Sequence, residues 1–205
     1  MIQILSSILL IPFYLLGSFP TGVLIARLNG FDITAHGSGN VGATNVARVV
    51  GKRAGLFTLV GDMAKGLLGV LIASACTSSQ TFVAAAGAAV VAGHCFSVPP
   101  FLRGGKGVAT SFGVIVALSW VCALVALAVF GAVFAVTRIV SLSSLCSAIV
   151  VPLTALLINL PDATCVAFIV IAMVVVIRHK ENVQRLVEGR EPRFQVRHPS
   201  DNGTV

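Results

Sequence analysis

Apolar runs at roughly 2–26, 54–75, 82–98, 108–136, 142–158 and 163–177, divided by short polar breaks, dictate what this chain can become. Several have the length of one bilayer crossing, about 20 residues. A soluble domain carries about 25% charged residues. Here only 10% are charged and 57% are hydrophobic, with a mean hydropathy of +0.99. That composition predicts an all-α, polytopic integral membrane protein. The first run has no basic residue before its apolar part and no convincing cleavage site, and Arg27 follows it. It therefore reads as a retained span rather than a signal peptide.

The run from 108 to 136 is long for one crossing and short for two, and charge arbitrates. If it turns near Ser119 and Trp120, then Arg27, Arg48, Lys52, Arg53, Lys65, Arg103, Lys106, Arg138 and the six basic residues after 177 all fall on one side. The breaks near 76–81, 118–121 and 159–162 carry no Lys or Arg. By the positive-inside tendency this predicts seven transmembrane helices, N-terminus outside and C-terminus cytoplasmic. Some spans are only ~14 residues and call for tilted neighbours or local thinning. Residues 1–194 read as a single transmembrane domain and 195–205 as a disordered tail.

The net charge of +7 follows from the same topological bias. Nucleic-acid binding would require basic patches interleaved with aromatics, and the chain has one Trp and one Tyr. Its seven acidic residues are scattered, which argues against a divalent metal. Cys76, Cys95, Cys122, Cys146 and Cys165 stand singly in apolar surroundings, without a C-x-x-C pair, and read as small packing residues.

Four polar blocks remain. In Gly37-Ser38-Gly39-Asn40-Val-Gly-Ala-Thr44-Asn45-Val-Ala-Arg48, glycines let backbone N–H groups approach a ligand, Ser38, Asn40, Thr44 and Asn45 add donors, and Arg48 adds positive charge. An ordinary turn can share that composition. Next, Arg103-Gly104-Gly105-Lys106-Gly107-Val-Ala-Thr110 places a cation in a flexible loop at a helix start, without the spacing of a nucleotide-binding P-loop. The third block, around Thr137, Arg138, Ser141, Ser143 and Ser144, opens a span, and capping accounts for part of it. In the fourth, Arg178-His179 leads a segment where His179, Asn182 and Arg185, spaced i, i+3, i+6, share one helix face. Asp62 and Lys65, three apart inside a span, predict an ion pair. His94 is placed equally well to hold a loop or to meet a ligand. His36 and His198 have no evident role beyond solvent.

Together these blocks resemble the bacterial acyl-phosphate:glycerol-3-phosphate acyltransferases, the PlsY family, over nearly the whole chain to Phe194. Departures are slight: Ile139 stands where an aromatic is expected and Val183 where an isoleucine is usual. The resemblance implies transfer of a fatty acyl group from acyl phosphate to the 1-hydroxyl of sn-glycerol 3-phosphate, giving lysophosphatidic acid and phosphate. The site would face the cytoplasm from the bacterial inner membrane. No cofactor is implied, and coupling to an acyl-phosphate-making enzyme would be natural. Ser38, Arg48, Lys106, Ser144, His179 and Asn182 would form the glycerol-phosphate site, and the Gly37–Asn40 backbone would cradle the acyl phosphate. Thr44, Asn45, Gly104, Gly105, Gly107, Thr110, Ser141 and Arg185 would complete the phosphate-binding set. No histidine has an aspartate in an H-x-x-x-x-D arrangement, so the substrate's own phosphate, or His179, is expected to take the hydroxyl proton. The rival reading is a transporter or channel for a phosphorylated solute, which calls for polar groups in the outer half of the membrane.

Overall fold

The computed structural model describes residues 8–98 and 104–194. The expected tail at 195–205, with His198, and Arg103 lie outside the described residues. All regular structure among the described residues is helical: α1 Ile11–Ser18, α2 Thr21–Leu28, α3 Ala43–Val49, α4 Lys52–Cys76, α5 Gln80–Cys95, α6 Val108–Leu118, α7 Trp120–Thr137, α8 Val140–Leu157, α9 Asp162–Arg178 and α10 Lys180–Val187. The long run at 108–136 does divide, at Ser119, whose hydroxyl accepts from the Cys122 N–H and so caps α7.

Among the described residues four helical stretches are long and apolar enough to cross a membrane: Ile11–Leu28, Lys52–Cys76, Trp120–Thr137 and Val140–Leu157. A fifth is α9 with α10, bent by 60° at their junction. The shorter α5 and α6 are also apolar. At 1.5 Å per residue α6 extends ~16 Å, well short of a hydrocarbon core of about 30 Å.

Packing follows the logic of a membrane rather than of water. Large apolar side chains such as Leu56, Phe57, Leu71, Leu124, Leu127 and Leu157 are exposed, while much of the buried interior is Ala, Gly, Ser and Val. Lipid is as apolar as leucine, so small residues that let helices approach closely gain more by burial. The main apolar core joins α4, α5, α6, α7, α8 and α9 through Val70, Val91, Val114, Cys122, Val151 and Phe168. The closest partnerships are α4 with α6, α7 with α8, and α1 with α5. At the α4–α6 crossing a Cβ on Gly66 would collide with the Thr110 carbonyl, and one on Gly113 with the Met63 carbonyl.

The first span breaks between Ser18 and Thr21, around Pro20. Proline cannot donate a backbone hydrogen bond, and the Phe19 carbonyl that the break exposes accepts from Lys65 Nζ at 3.2 Å. That ammonium also lies 2.9 Å from Asp62 Oδ1. The contact is ionic in distance but misses hydrogen-bond alignment, so Oδ1 keeps unfilled acceptor capacity. His94 Nδ1 approaches the same oxygen at 3.6 Å. The expected ion pair thus also ties α4 to the end of α1.

Gly66→Ala and Gly113→Ala are each expected to lower unfolding stability in detergent by about 1–3 kcal/mol, because the opposing atoms are backbone and cannot turn aside. Gly131→Ala, where the added carbon meets nothing within 4 Å, is the control and should not destabilise. Equal thermal shifts at all three positions would contradict this account.

Candidate functional site

A cavity of about 810 Å³ opens where the four polar blocks meet. Its polar wall is built from Gly37, Ser38, Asn40, Thr44, Asn45 and Arg48, then Lys106 and Gly107, then Ser141 and Ser144, then His179, Asn182 and Arg185. Its apolar wall includes Leu56 and Leu59 of α4 and Phe130 and Phe134 of α7. Segments almost 150 residues apart in sequence converge because α3 packs on α4, α4 on α6, and α9 on both α5 and α8.

The 37–48 loop is shaped from within by Asn45, which is 3% exposed. Its Oδ1 accepts from the Ser38 N–H at 3.0 Å, and its Nδ2 donates to the carbonyls of Asn40 at 2.9 Å, His36 at 3.1 Å and, more weakly, Ile33 at 3.5 Å. The amide therefore spends its capacity on the loop itself, although it touches the cavity. Gly37 and Gly39 have φ of +62° and +67°, the left-handed region that glycine occupies without strain. A Cβ on Gly37 would strike Asn45 Oδ1. Asn40 Oδ1 accepts from the Gly42 N–H at 2.8 Å. Arg48 lines the cavity, and among the described residues no side chain or carbonyl pairs with its guanidinium.

Opposite stands a connected set of polar side chains. Lys106 Nζ donates to Asn182 Oδ1, and Asn182 Nδ2 donates to Glu191 Oε1. Ser141 Oγ donates to the same oxygen at 2.7 Å, while Arg185 Nε reaches Glu191 Oε2 at 2.7 Å. Burial alone would push the Glu191 carboxyl up. Hydrogen bonds from Ser141, Asn182 and Arg185, with the Arg185 charge, outweigh it and hold the group below its ordinary value of 4.5. Burial lowers Lys106 from its usual 10.5, with Glu191 acting against that trend.

His179 is 2% exposed and lines the cavity. Its Nδ1 lies 2.7 Å from the Val175 carbonyl oxygen. A carbonyl can only accept, so the proton sits on Nδ1 and the neutral ring keeps Nε2 as its acceptor.

Of the residues expected at the site, Gly39, Gly104, Gly105 and Thr110 do not line the cavity. Thr110 is fully buried one turn into α6, and its hydroxyl has no hydrogen-bond partner among the described residues. Gly104 and Gly105 stand behind Lys106, with their carbonyls turned onto Arg178. Ser143 and Ser144 donate to the Ile139 and Val140 carbonyls at 2.8 Å, a back-bonding role beside any ligand role.

Glu191 and Asp62, which the sequence did not mark as lining residues, also line the cavity, as does His94, for which the sequence left holding a loop and meeting a ligand equally open. Glu191 looked like one charge of a solvated tail. Its one available signal was its place six residues beyond Arg185, past a glycine at 189 where φ is +68° and the chain can turn back. That return also brings Pro192 and Phe194 to the cavity, with the Phe194 N–H donating to the Arg138 carbonyl at 2.7 Å and its ring set edgewise on Phe134.

Comparisons with known proteins find relatives of this chain. A family model described as glycerol-3-phosphate acyltransferase matches residues 7–189. A glycerol-3-phosphate acyltransferase of Geobacter sulfurreducens is 44% identical over 182 residues, covering 89% of this chain and 94% of that one. Its counterpart in Trichlorobacter lovleyi is 46% identical over the same length and coverage. Among solved structures, crystal structures of PlsY, an integral membrane glycerol 3-phosphate acyltransferase, superpose with TM-scores of 0.88 for a glycerol 3-phosphate form and 0.86 for a lysophosphatidic acid form. Both are 40% identical, covering 93% of this chain and 96% of the other.

Two outcomes are expected from the hydrogen bonding. Glu191→Gln should lower thermal stability at neutral pH. Because the folded carboxyl titrates below its ordinary value, its contribution is complete above about 4.5 and is lost as pH falls through the depressed value, so the wild-type advantage should shrink in acid. An advantage that persists unchanged to the lowest pH tolerated would count against the network. Asn45→Asp keeps the acceptor but turns an oxygen toward three carbonyls. It should cost about 1–3 kcal/mol in detergent melts, whereas wild-type stability would show that the amide does not shape the loop.

Proposed function

The chain belongs to the glycerol-3-phosphate acyltransferase family, and from that membership we propose that it transfers a fatty acyl group from acyl phosphate to the 1-hydroxyl of sn-glycerol 3-phosphate. The products are lysophosphatidic acid and inorganic phosphate, which makes it an enzyme of phospholipid synthesis. The observation that carries this reading is the two-faced cavity. Cationic and hydroxyl groups at Arg48, Lys106, Ser141, Ser144 and Arg185 meet the apolar surfaces of Leu56, Leu59, Phe130 and Phe134 in one enclosure. A phosphate and an acyl chain fit opposite ends of such a space.

Lys106, Ser144, His179 and Asn182, with Ser38 and Arg48, hold the glycerol phosphate. The Gly37–Asn40 backbone, set by Asn45, takes the phosphate of the donor. The glycerol oxygen attacks the acyl carbonyl carbon, a new C–O ester bond forms, and the bond from that carbon to the phosphate oxygen breaks. An acyl phosphate is a mixed anhydride with a good leaving group, so the protein has chiefly to align the reactants and hold the developing charge. The departing phosphate or His179 Nε2 receives the hydroxyl proton, and either way the proton ends on phosphate.

Seven crossings, with the N-terminus outside and the C-terminus cytoplasmic, complete the reading. The broken α1–α2 unit, α4, α5, α6, α7, α8 and α9 would be those crossings. The short α6 then needs a locally thinned bilayer, or a Lys106 loop dipping below the surface. All basic residues would face the cytoplasm of a bacterial inner membrane, where glycerol 3-phosphate is available and a soluble acyl-phosphate-making enzyme could deliver donor.

Purified protein in detergent, given radiolabelled glycerol 3-phosphate with acyl phosphate, acyl-CoA or acyl carrier protein, should form lysophosphatidic acid with the first donor alone. Lys106→Ala and Arg48→Ala should each reduce that rate at least ~100-fold while the protein still inserts and purifies. Product from acyl-CoA alone, or full activity in either variant, would overturn the assignment of donor or of residue.

A further inference from the structure

Lys106 sits on Gly104–Gly107, the last part of the connection between α5 and α6, which has no regular structure and two adjacent glycines before the lysine. Such a segment has many conformations available and loses much entropy when ordered. An ammonium that must meet a phosphate within hydrogen-bond reach therefore needs its backbone fixed by something else. Arg178, the last residue of α9, supplies that fixation. Its Nε donates to the Gly105 carbonyl at 3.0 Å and its Nη2 to the Gly104 carbonyl at 2.8 Å. One planar guanidinium thus holds two successive peptide groups. Its own plane is supported by Phe96, whose ring centre lies 5.6 Å from Arg178 Cζ. From the other side the Gly105 N–H donates to the His94 carbonyl at 3.0 Å, and the His94 ring leaves no room for a Cβ on Gly105.

The consequence is directional. In a trans peptide the N–H points opposite to the C=O, so holding the Gly105 carbonyl on Arg178 turns the Lys106 N–H to the far side. Arg178 itself is absent from the cavity lining, whereas Lys106 and the next residue in sequence, His179, are part of it. A single residue at the end of α9 therefore fixes the Lys106 loop and adjoins His179, which lines the same cavity.

We propose that Arg178 is a positioning residue for acyl transfer, gripping the Gly104 and Gly105 carbonyls so that Lys106 is presented to the phosphate of glycerol 3-phosphate. This rests on the acyltransferase reading above. A lysine cannot replace the arginine, since an ammonium is a compact point donor and lacks the fork that spans two carbonyls. The donor phosphate, assigned to the Gly37–Asn40 loop on other elements, is untouched by the grip.

Kinetics of Arg178→Ala and Arg178→Lys separate this from a merely structural role. A variant that only misfolds loses active molecules, which scales kcat and leaves both KM values where they were. Loosening Lys106 should instead raise KM for glycerol 3-phosphate at least tenfold and cut kcat/KM by about 100-fold, with KM for acyl phosphate within about twofold of wild type. Millimolar guanidinium should restore part of the loss in Arg178→Ala and none in Lys106→Ala. If Arg178→Ala does not fold, Arg178→Lys carries the test, because it keeps charge and most of the bulk. An unchanged KM for glycerol 3-phosphate in the folded variant, or wild-type kinetics in Arg178→Lys, would overturn the proposal. Calorimetric titration of glycerol 3-phosphate into wild type and Arg178→Lys needs no turnover, so weaker binding to the variant supports the grip and equal affinity refutes it. A wild-type protein that makes no product counts against the acyltransferase reading instead.

Discussion

A single carboxylate organises the polar wall of this protein. Glu191 accepts from Ser141, Asn182 and Arg185, and through Asn182 it is linked to Lys106. Cations gathered around one cavity repel one another, and at the edge of a bilayer there is less water to screen them. One anion placed to the side of the cluster relieves that repulsion and fixes the donors. Arg48, on the same cavity, has no such partner among the described residues and stays free to meet a ligand. The arrangement is a compromise between too many unpaired charges, which would not stay folded, and complete pairing, which would leave nothing for a substrate.

The membrane imposes the second constraint. Polar groups within it call for partners from the protein, and among the described residues only Asp62 Oδ1 and the Thr110 and Ser111 hydroxyls are buried side-chain atoms without a hydrogen bond. Lys65 closes the break in the first span and neutralises Asp62, while Ser143, Ser144, Ser147 and Thr154 bond back to carbonyls of their own helix. Helices then approach on glycine and alanine, and the bulky apolar side chains go to the lipid. This inverted distribution leaves room between α4 and α7 for an apolar wall that continues from the lipid-facing surface into the cavity. A fatty chain needs such a route and a soluble phosphate needs the opposite wall. On the proposed reading the reaction takes place where they meet.

That reading also explains what the site lacks. Acyl transfer from a mixed anhydride needs charge stabilisation and alignment more than a covalent intermediate or a strong base. The groups around the cavity suit those two needs. They include an arginine without a partner among the described residues, a lysine on a held loop, hydroxyls, and a histidine whose Nδ1 proton is committed to Val175. Much of the structure beyond the cavity acts one step removed from it. Asn45 spends its amide on the first loop, and Arg178 spends its guanidinium on the second.

Apolar length gave helices and a membrane, and the one-sided placing of Lys and Arg gave the division of the 108–136 run near Ser119, because both can be read along the chain without knowing what packs against what. Block spacing likewise brought out Asn182 and Arg185 as one face, since i, i+3 is fixed by α10 itself, whereas His179, expected on that same face, falls at the 60° bend between α9 and α10 and lines the cavity from there. Glu191 was illegible for the opposite reason. Its meaning depends on a turn after α10 that brings it back to Ser141, fifty residues away in sequence. Asn45 shows the same limit from the other side, since a polar residue type predicts that a hydrogen bond will form but not whether its partner is ligand or backbone. Sequence alone therefore determined which residues carry charge, how long each helix can be and which faces are apolar. Tertiary structure decided which polar atoms are consumed in holding loops and which remain open to a substrate, because hydrogen-bond capacity is allotted only when distant segments come within about 3 Å of one another.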